Sequence, residues 1–343
     1  MDRIINDKNA IKAIADQSKF EIIVVEKVLH MERILHKISE SELLRNDFAL
    51  MGGSAIVFLY GNVYRLSVDL DLDFINNPNL GKDDRGEIRE LQRKHIGEFQ
   101  RIAGELNMGF EEIPPDDERF IQLKMNYNSV VYASEYSVEL DLGYRYCSTI
   151  FGVQEVSWPN HFKIEDFPKI SIQTFSPAEL WASKIIAMIS TRRKDFKGNK
   201  FLGFKNKIRH LYDTWYLLDS EHMLKSVDFN DLKNLTLLFG MTRIENYEFC
   251  RGEIISLYSQ ENYDNDLHPV LINSKDTPRL IAMQRRVRKF LDQKIFCYNK
   301  ADYDFMEKYV AGLFRPEDLF GDELGATIKS FYFYREMTEM LKR

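Results

Sequence analysis

An α/β N-terminal half followed by a helical C-terminal half is the architecture this chain predicts, and three observations predict it. Apolar and polar residues alternate with period two over residues 68–75, 120–127 and 136–144, as they must in strands that bury one face. From Ser176 onward, apolar residues recur at helical spacing in one segment after another. Between the first two predicted strands, Met51-Gly-Gly-Ser54 supplies a turn that opens a short apolar helix.

Taken in order, apolar residues at helical spacing (Ile11, Ile14, Ile22, Val25, Val28, Leu29, Leu35) predict a helical preface over residues 8–38, broken near Gln17-Ser18. Residues 48–51 read as the first strand, 55–60 as the short helix, and 68–75 as the second strand. Asn76-Asn-Pro-Asn-Leu-Gly81 is turn chemistry. A helix over 85–106 follows, ended by a break at Gly109, then a loop at Pro114-Pro115-Asp116-Asp117. Two strands come next, over 120–127 and 136–144, and a short one over 170–174. Ser176-Pro177-Ala-Glu179 is a helix start, with Ser at the N-cap, Pro at the first helical position and Glu at the third. Helices are expected over 177–191, 205–218, 227–239, 244–258 and 278–296, with a last one ending near Leu341. The expected domains are residues 1–170, with the helical preface, and 171–343.

Hydrophobic residues make up 44% of the chain and charged residues 29%, which suits a folded protein rather than a disordered one. Cys147, Cys250 and Cys297 lie far apart with no CxxC or His-x-x-His spacing, so neither a zinc site nor a disulfide framework is indicated. A cytoplasmic setting fits that usage. The early charges Asp2, Arg3 and Asp7 stand where an export signal needs an apolar core. The longest uncharged stretch, residues 48–64, is interrupted by glycines and falls short of the about 20 residues that a spanning helix requires. No membrane partner is expected. A net charge of −6 argues against a surface coated for polyanions. Yet between Arg192 and Arg209 eight Lys/Arg stand against Asp195 alone, interleaved with Phe196, Phe201 and Phe204. Arg192, Arg193, Lys197 and Lys200 are therefore candidates for RNA phosphate contact, against the plainer reading of a solvated loop.

The chemistry centres on Asp69, Asp71 and Asp73, which alternate with Val68, Leu70, Leu72 and Phe74. On a strand all three carboxylates share one face. Like charges this close repel unless a cation intervenes, and hard oxygen ligands suit Mg²⁺ or Mn²⁺. Aspartate is also a poor strand former, so three in alternation require a reason. The glycines of Gly52-Gly53-Ser54 let backbone approach a ligand closely, and a turn that opens a helix presents free N–H groups to phosphate. Ser67 either bonds a phosphate or orients Asp69; Arg65 is either an ion-pair partner or a ligand contact. Ser137, Glu139 and Asp141 share a face of the later strand. Glu139 and Asp141 are both candidates for the carboxylate that activates an attacking hydroxyl in a two-metal phosphoryl transfer.

The order strand, Gly-Gly-Ser turn, helix, acidic strand resembles the polymerase-β-like nucleotidyltransferase superfamily. The finer wording, Gly52-Gly53-Ser54 and then Arg65-x-Ser67-x-Asp69-Leu70-Asp71, is similar to the AbiEii/AbiGii type of nucleotidyltransferase toxin. Leu140-Asp141-Leu142-Gly143, Glu179-Leu-Trp-Ala-Ser-Lys184 and Arg209-His-Leu-Tyr-Asp213-Thr-Trp-Tyr-Leu-Leu218 resemble that family's later motifs. The matched motifs span residues 52–218, with a basic insertion between Lys184 and Asp213 as a departure. The resemblance implies a mixed-sheet core followed by a helical domain that contributes Lys184 and Asp213 to the site. It implies Asp69 and Asp71 as metal ligands and selects Asp141 as the third, with Glu139 and Asp73 as alternatives. Lys184 is implied to hold the NTP triphosphate together with Gly53, Ser54 and Ser67. Asp213 is either a partner of Lys184 or a site carboxylate, and Arg209 stands beside it in the motif. The implied reaction moves a nucleoside monophosphate from an NTP to a hydroxyl acceptor, the 3′ end of tRNA in characterised relatives. It would act as the toxin of a toxin–antitoxin pair, with a cognate antitoxin as partner. A small-molecule (antibiotic-type) nucleotidyltransferase, a protein nucleotidyltransferase and a non-catalytic nucleotide-binding protein are the alternatives.

Overall fold

The computed structural model describes residues 1–60, 65–76, 85–114, 119–145, 147–190, 192–194, 200–202, 208–244, 247, 251–272, 277–331 and 334, with backbone alone at 85, 192–194 and 200–202. The chain divides into two compact units. The first is Met1–Phe175 with short later pieces at Ile272 and Phe331; the second holds the remainder from Ser176 on.

In the first unit, helices α1 (Asp2–Ile5), α2 (Lys8–Ser18), α3 (Ile22–Glu40) and α4 (Glu42–Asp47) precede the sheet. The Asp7 side chain accepts from the N–H groups of Asn9 and Ala10 and caps α2, and Lys19 ends it in the left-handed conformation at φ 62°. That is the break expected near Gln17-Ser18. Strand β1 (Phe48–Leu50) leads to a helical turn α5 (Gly52–Ser54) that runs on as a π-helical segment, Ala55–Leu59. Then follow β2 (Asp69–Phe74), α6 (Arg85–Glu105), β3 (Gly109–Ile113), β4 (Phe120–Asn128), β5 (Glu135–Gly143), β6 (Val153–Ser157) and β7 (Ser171–Phe175). They form one seven-stranded mixed sheet in the order β3-β4-β5-β2-β1-β7-β6. Strands β2 and β5 are parallel, as are β1 and β7, and the other neighbours are antiparallel.

One face of the sheet is apolar. Leu70, Leu72 and Phe74 of β2, Leu123 and Met125 of β4, and Leu140 and Leu142 of β5 are all buried. Helices α3 and α6 cover this face: His30 of α3 stacks on Tyr127 at 3.8 Å, and His95 of α6 meets Phe48 edge-on at 4.9 Å. The covering helices also carry buried polar ties. Glu26 accepts from the Ser129 hydroxyl at 2.6 Å and the Val130 N–H at 2.8 Å, fastening α3 to the β4–β5 turn. Trp158 Nε1 donates to Glu32 at 3.0 Å, and burial pushes that carboxyl up to about 8. His95 bridges Asp47 at 2.8 Å and the Tyr144 hydroxyl at 2.9 Å.

The second unit opens with α7 (Pro177–Ile189), whose Ser176 cap accepts from the Glu179 N–H, as the sequence leads one to expect. A hairpin of β8 (Arg192–Lys194) and β9 (Lys200–Leu202) precedes α8 (Ile208–Leu217), α9 (Glu221–Ser226) and α10 (Phe229–Arg243). Trp181 of α7 is fully buried, stacked on Phe290 at 5.2 Å and meeting Phe229 at 6.1 Å. Leu280–Phe290, Lys300–Val310 and Asp322–Ser330 are the longer helices that follow. The expected helix over 244–258 is replaced: α10 ends at Arg243 with Ile244 extended, and Gly252–Leu257 is a 3₁₀ helix. There the Gly252 N–H donates to Asp292 Oδ1 at 3.0 Å, and a side chain at Gly252 would overlap that carboxylate. Strand β3 begins at Gly109, where a break was expected, and β6 occupies a stretch for which no element was expected. The end of the expected last helix lies outside the described residues. Among the described residues no helix is long and apolar enough to cross a membrane.

Candidate active site

The acidic strand lies at the middle of the sheet, and its register brings the predicted carboxylates together. Asp71 of β2 pairs with Asp141 of β5, and Asp69 with Glu139. Register partners on adjacent strands point to the same face, so Asp69, Asp71, Glu139 and Asp141 share the face opposite the apolar core. Asp73 pairs with Gly143, where any side chain would overlap the Asp73 carboxylate. The Asp141 carboxyl is pushed up to about 7, first by burial and then by the charge of Asp71, with Asp69 and Glu139 adding to it and a hydrogen bond from Gln122 opposing it.

The Gly-Gly-Ser turn is folded against this strand. Gly52 has φ +67°, and a side chain there would overlap Asp71; only glycine permits both the backbone and the approach. The Gly53 N–H donates to Asp71 Oδ2 at 3.2 Å, and the Met51 N–H to the Asp71 carbonyl at 2.8 Å. The Ser54 hydroxyl donates to the Asp69 carbonyl. A Cβ on Gly53 would lie 2.8 Å from Ser67 Oγ and 3.5 Å from the Arg65 guanidinium, so Arg65 and Ser67, both buried, line the same turn.

Two residues that sequence reasoning missed join the cluster. Gln122 of β4 donates from Nε2 to Asp141 Oδ1 at 2.9 Å, and Lys27 of α3 places Nζ 3.2 Å from Asp69 Oδ1. Gln122 occupies the polar phase of a strand whose alternation is visible, but only the β4–β5 register puts it opposite Asp141. Lys27 leaves no signal near the motif at all.

Lys184 and Asp213 meet in the second unit. Both are buried, with Lys184 Nζ 3.4 Å from Asp213 Oδ2 and 3.4 Å from His210 Nδ1. Lys184 is thus an interior lysine on a helix that is buried on nearly all sides. Arg209 donates from Nε to the Asp266 carbonyl at 2.8 Å. Of the RNA-contact candidates, Arg192, Arg193 and Lys200 lie on the β8–β9 hairpin, with their side chains outside the described residues; Lys197 falls outside them entirely.

The donor set fits a divalent cation in kind, because three hard carboxylates stand at adjacent register positions and their mutual charge already raises Asp141. Among the described residues, however, no three acidic, His or Cys side chains are drawn together into a ready metal cluster. Asp69 turns to Lys27, Asp71 to the Gly53 N–H and Asp141 to Gln122.

A central acidic strand with a glycine turn folded onto it, in a mixed sheet of this order, defines a nucleotidyltransferase-type protein. The model of the family described as nucleotidyl transferase AbiEii toxin, type IV toxin–antitoxin system, matches residues 33–308, and the chain belongs to that family. Family membership carries nucleotidyl transfer, an NTP substrate and an antitoxin partner. Among solved structures, MenT4, a nucleotidyltransferase toxin from Mycobacterium tuberculosis H37Rv, is similar at 16% identity and a TM-score of 0.59, over 96% of this chain and 97% of that one. That likeness concerns the fold. A nucleotidyltransferase structure from Helicobacter pylori aligns at 15% identity over 79% of this chain and 97% of its own, with a TM-score of 0.42. JHP933 from the same species aligns at 14% over 79% and 94%, again with a TM-score of 0.42. No curated protein sequence matches the chain.

Proposed function

We propose that this toxin transfers a nucleoside monophosphate from an NTP to a hydroxyl of RNA in a reaction that depends on a divalent cation. The observation that carries the reading is the β2–β5 register, which aligns Asp71 with Asp141 and sets Asp69 beside them, under a glycine turn whose backbone approaches Asp71. In this reading Asp69, Asp71 and Asp141 hold Mg²⁺. When bound, the metal neutralises triphosphate charge and favours ionisation of the acceptor hydroxyl.

The chain's own groups do the positioning. Asp141, oriented by Gln122, faces the acceptor hydroxyl and receives its proton as the oxygen attacks the α-phosphorus. The bond from that phosphorus to the bridging oxygen breaks, and pyrophosphate leaves. Gly53, Ser54 and Ser67 hold the phosphates, Arg65 supports the turn, and Lys184, kept in place by Asp213, takes the phosphate role that the family motif gives it. Catalysis of this kind is mainly positioning and charge neutralisation. RNA as acceptor is supported by the basic run from Arg192 to Arg209 in an otherwise acidic chain.

The test is incubation of purified protein with each α-³²P-labelled NTP, with total RNA or none. Label on RNA supports the reading. Label only on the protein, or on a small molecule in an RNA-free extract, replaces the acceptor while retaining the enzyme.

A further inference from the structure

We propose that Lys27 is a built-in counter-ion of the acidic strand, which occupies Asp69 in the metal-free protein and competes with the divalent cation for that carboxylate. The inference rests on the reading of Asp69 as a metal ligand. It deepens that reading by naming what the cation must displace.

Lys27 Nζ lies 3.2 Å from Asp69 Oδ1, a positive charge within ion-pair distance of a carboxylate assigned to the metal. The lysine's backbone is fixed from both sides, because its neighbours Glu26 and Val28 are buried and Glu26 is fastened to the β4–β5 turn. The Lys27 and Asp69 side chains are 20% and 37% exposed, and a partly exposed ion pair is weak enough for a stronger ligand to break. A lysine suits the task, being a compact charge on a flexible stem that can leave one partner without the backbone moving. With Asp71, Asp141 and Glu139 on the same face, a resident cation relieves repulsion that would otherwise burden the metal-free fold. The same positive charge opposes an arriving dication. Lys27 precedes residue 33, where the family match begins, so membership assigns it nothing.

The experiment titrates Mn²⁺ into the full-length protein, following free Mn²⁺ by electron paramagnetic resonance, for wild type, Lys27→Met, Lys27→Arg and Asp71→Asn. Removing a positive charge so close to the site should tighten Mn²⁺ binding about tenfold in Lys27→Met. Lys27→Arg, which keeps the charge, should stay within about twofold of wild type. Lys27→Gln repeats the measurement should the Met variant fail to fold. Equal or weaker Mn²⁺ binding in Lys27→Met, with binding lost in Asp71→Asn, overturns the counter-ion role and leaves the metal site standing. Binding that Asp71→Asn does not change, or binding by neither wild type nor Lys27→Met, overturns both.

Discussion

At the scale of single residues the account stands on close approaches that tolerate no substitute. Gly52→Ala places a methyl group on Asp71 and forces an L side chain into the left-handed region, a backbone cost of about 1–2 kcal/mol before the overlap is counted. The variant is expected to melt several degrees below wild type and to lose transfer activity, read by differential scanning calorimetry beside the labelled-NTP assay. Glu32 gives a pH signature away from the site. Its folded carboxyl titrates near 8, against 4.5 when unperturbed, so the unfolded chain releases the proton first and stability drains away between those values as pH rises. Glu32→Gln keeps an acceptor for Trp158 Nε1. It should therefore raise Tm at pH 8, by roughly 2–4 °C for each kcal/mol recovered, with the gain vanishing towards pH 4. A gain that does not vary with pH would show that Glu32 is not held protonated by burial.

At the scale of elements, what was legible in the sequence is what local chemistry encodes. The acidic strand announced itself because alternating aspartates are costly there, and the α7 start because Ser176, Pro177 and Glu179 each suit one position of a helix N-terminus. Strands β3 and β6 did not. Their side chains are mostly exposed, with no period-two burial, since both are edge strands with a neighbour on one side only. The expected helix over 244–258 is interrupted at Ile244, which is extended, and at Gly252 the N–H meets the Asp292 carboxylate from 40 residues on, a partner that local spacing does not show. Gln122 and Lys27 belong to the same class of information. A strand's register and a helix's placement decide that they touch Asp141 and Asp69, and neither is written near the motif. The tie from α3 to the β4–β5 turn predicts that Glu26→Ala, which strands the Ser129 hydroxyl and the Val130 N–H, costs about 3–6 kcal/mol, at roughly 1.5–3 kcal/mol for each of the two bonds to the carboxylate. Urea unfolding followed by circular dichroism measures it, and a loss under about 1 kcal/mol would mean that the turn holds itself.

At the scale of the whole molecule, an acidic chain with one strongly basic run is expected to engage RNA through that run alone. Neutralising Arg192, Arg193, Lys197 and Lys200 together should flatten the logarithmic salt dependence of RNA binding, by about 0.7 for each single-strand phosphate that is no longer neutralised, and leave NTP affinity unchanged. An unaltered slope would assign the run to a solvated loop. Lys184→Ala should shrink the rise in Tm that Mg²⁺ and NTP give the wild type, a rise that follows from ligand binding to the folded state alone. The central claim is that Asp69, Asp71 and Asp141 form the working face of a nucleotidyltransferase, and transfer of label from α-³²P-NTP to RNA by wild type and by Asp71→Asn tests it most directly. The account predicts labelled RNA with wild type and none above background with Asp71→Asn, while the variant melts no lower than wild type in EDTA because one repelling charge has gone. Labelling by Asp71→Asn at the wild-type rate would contradict it.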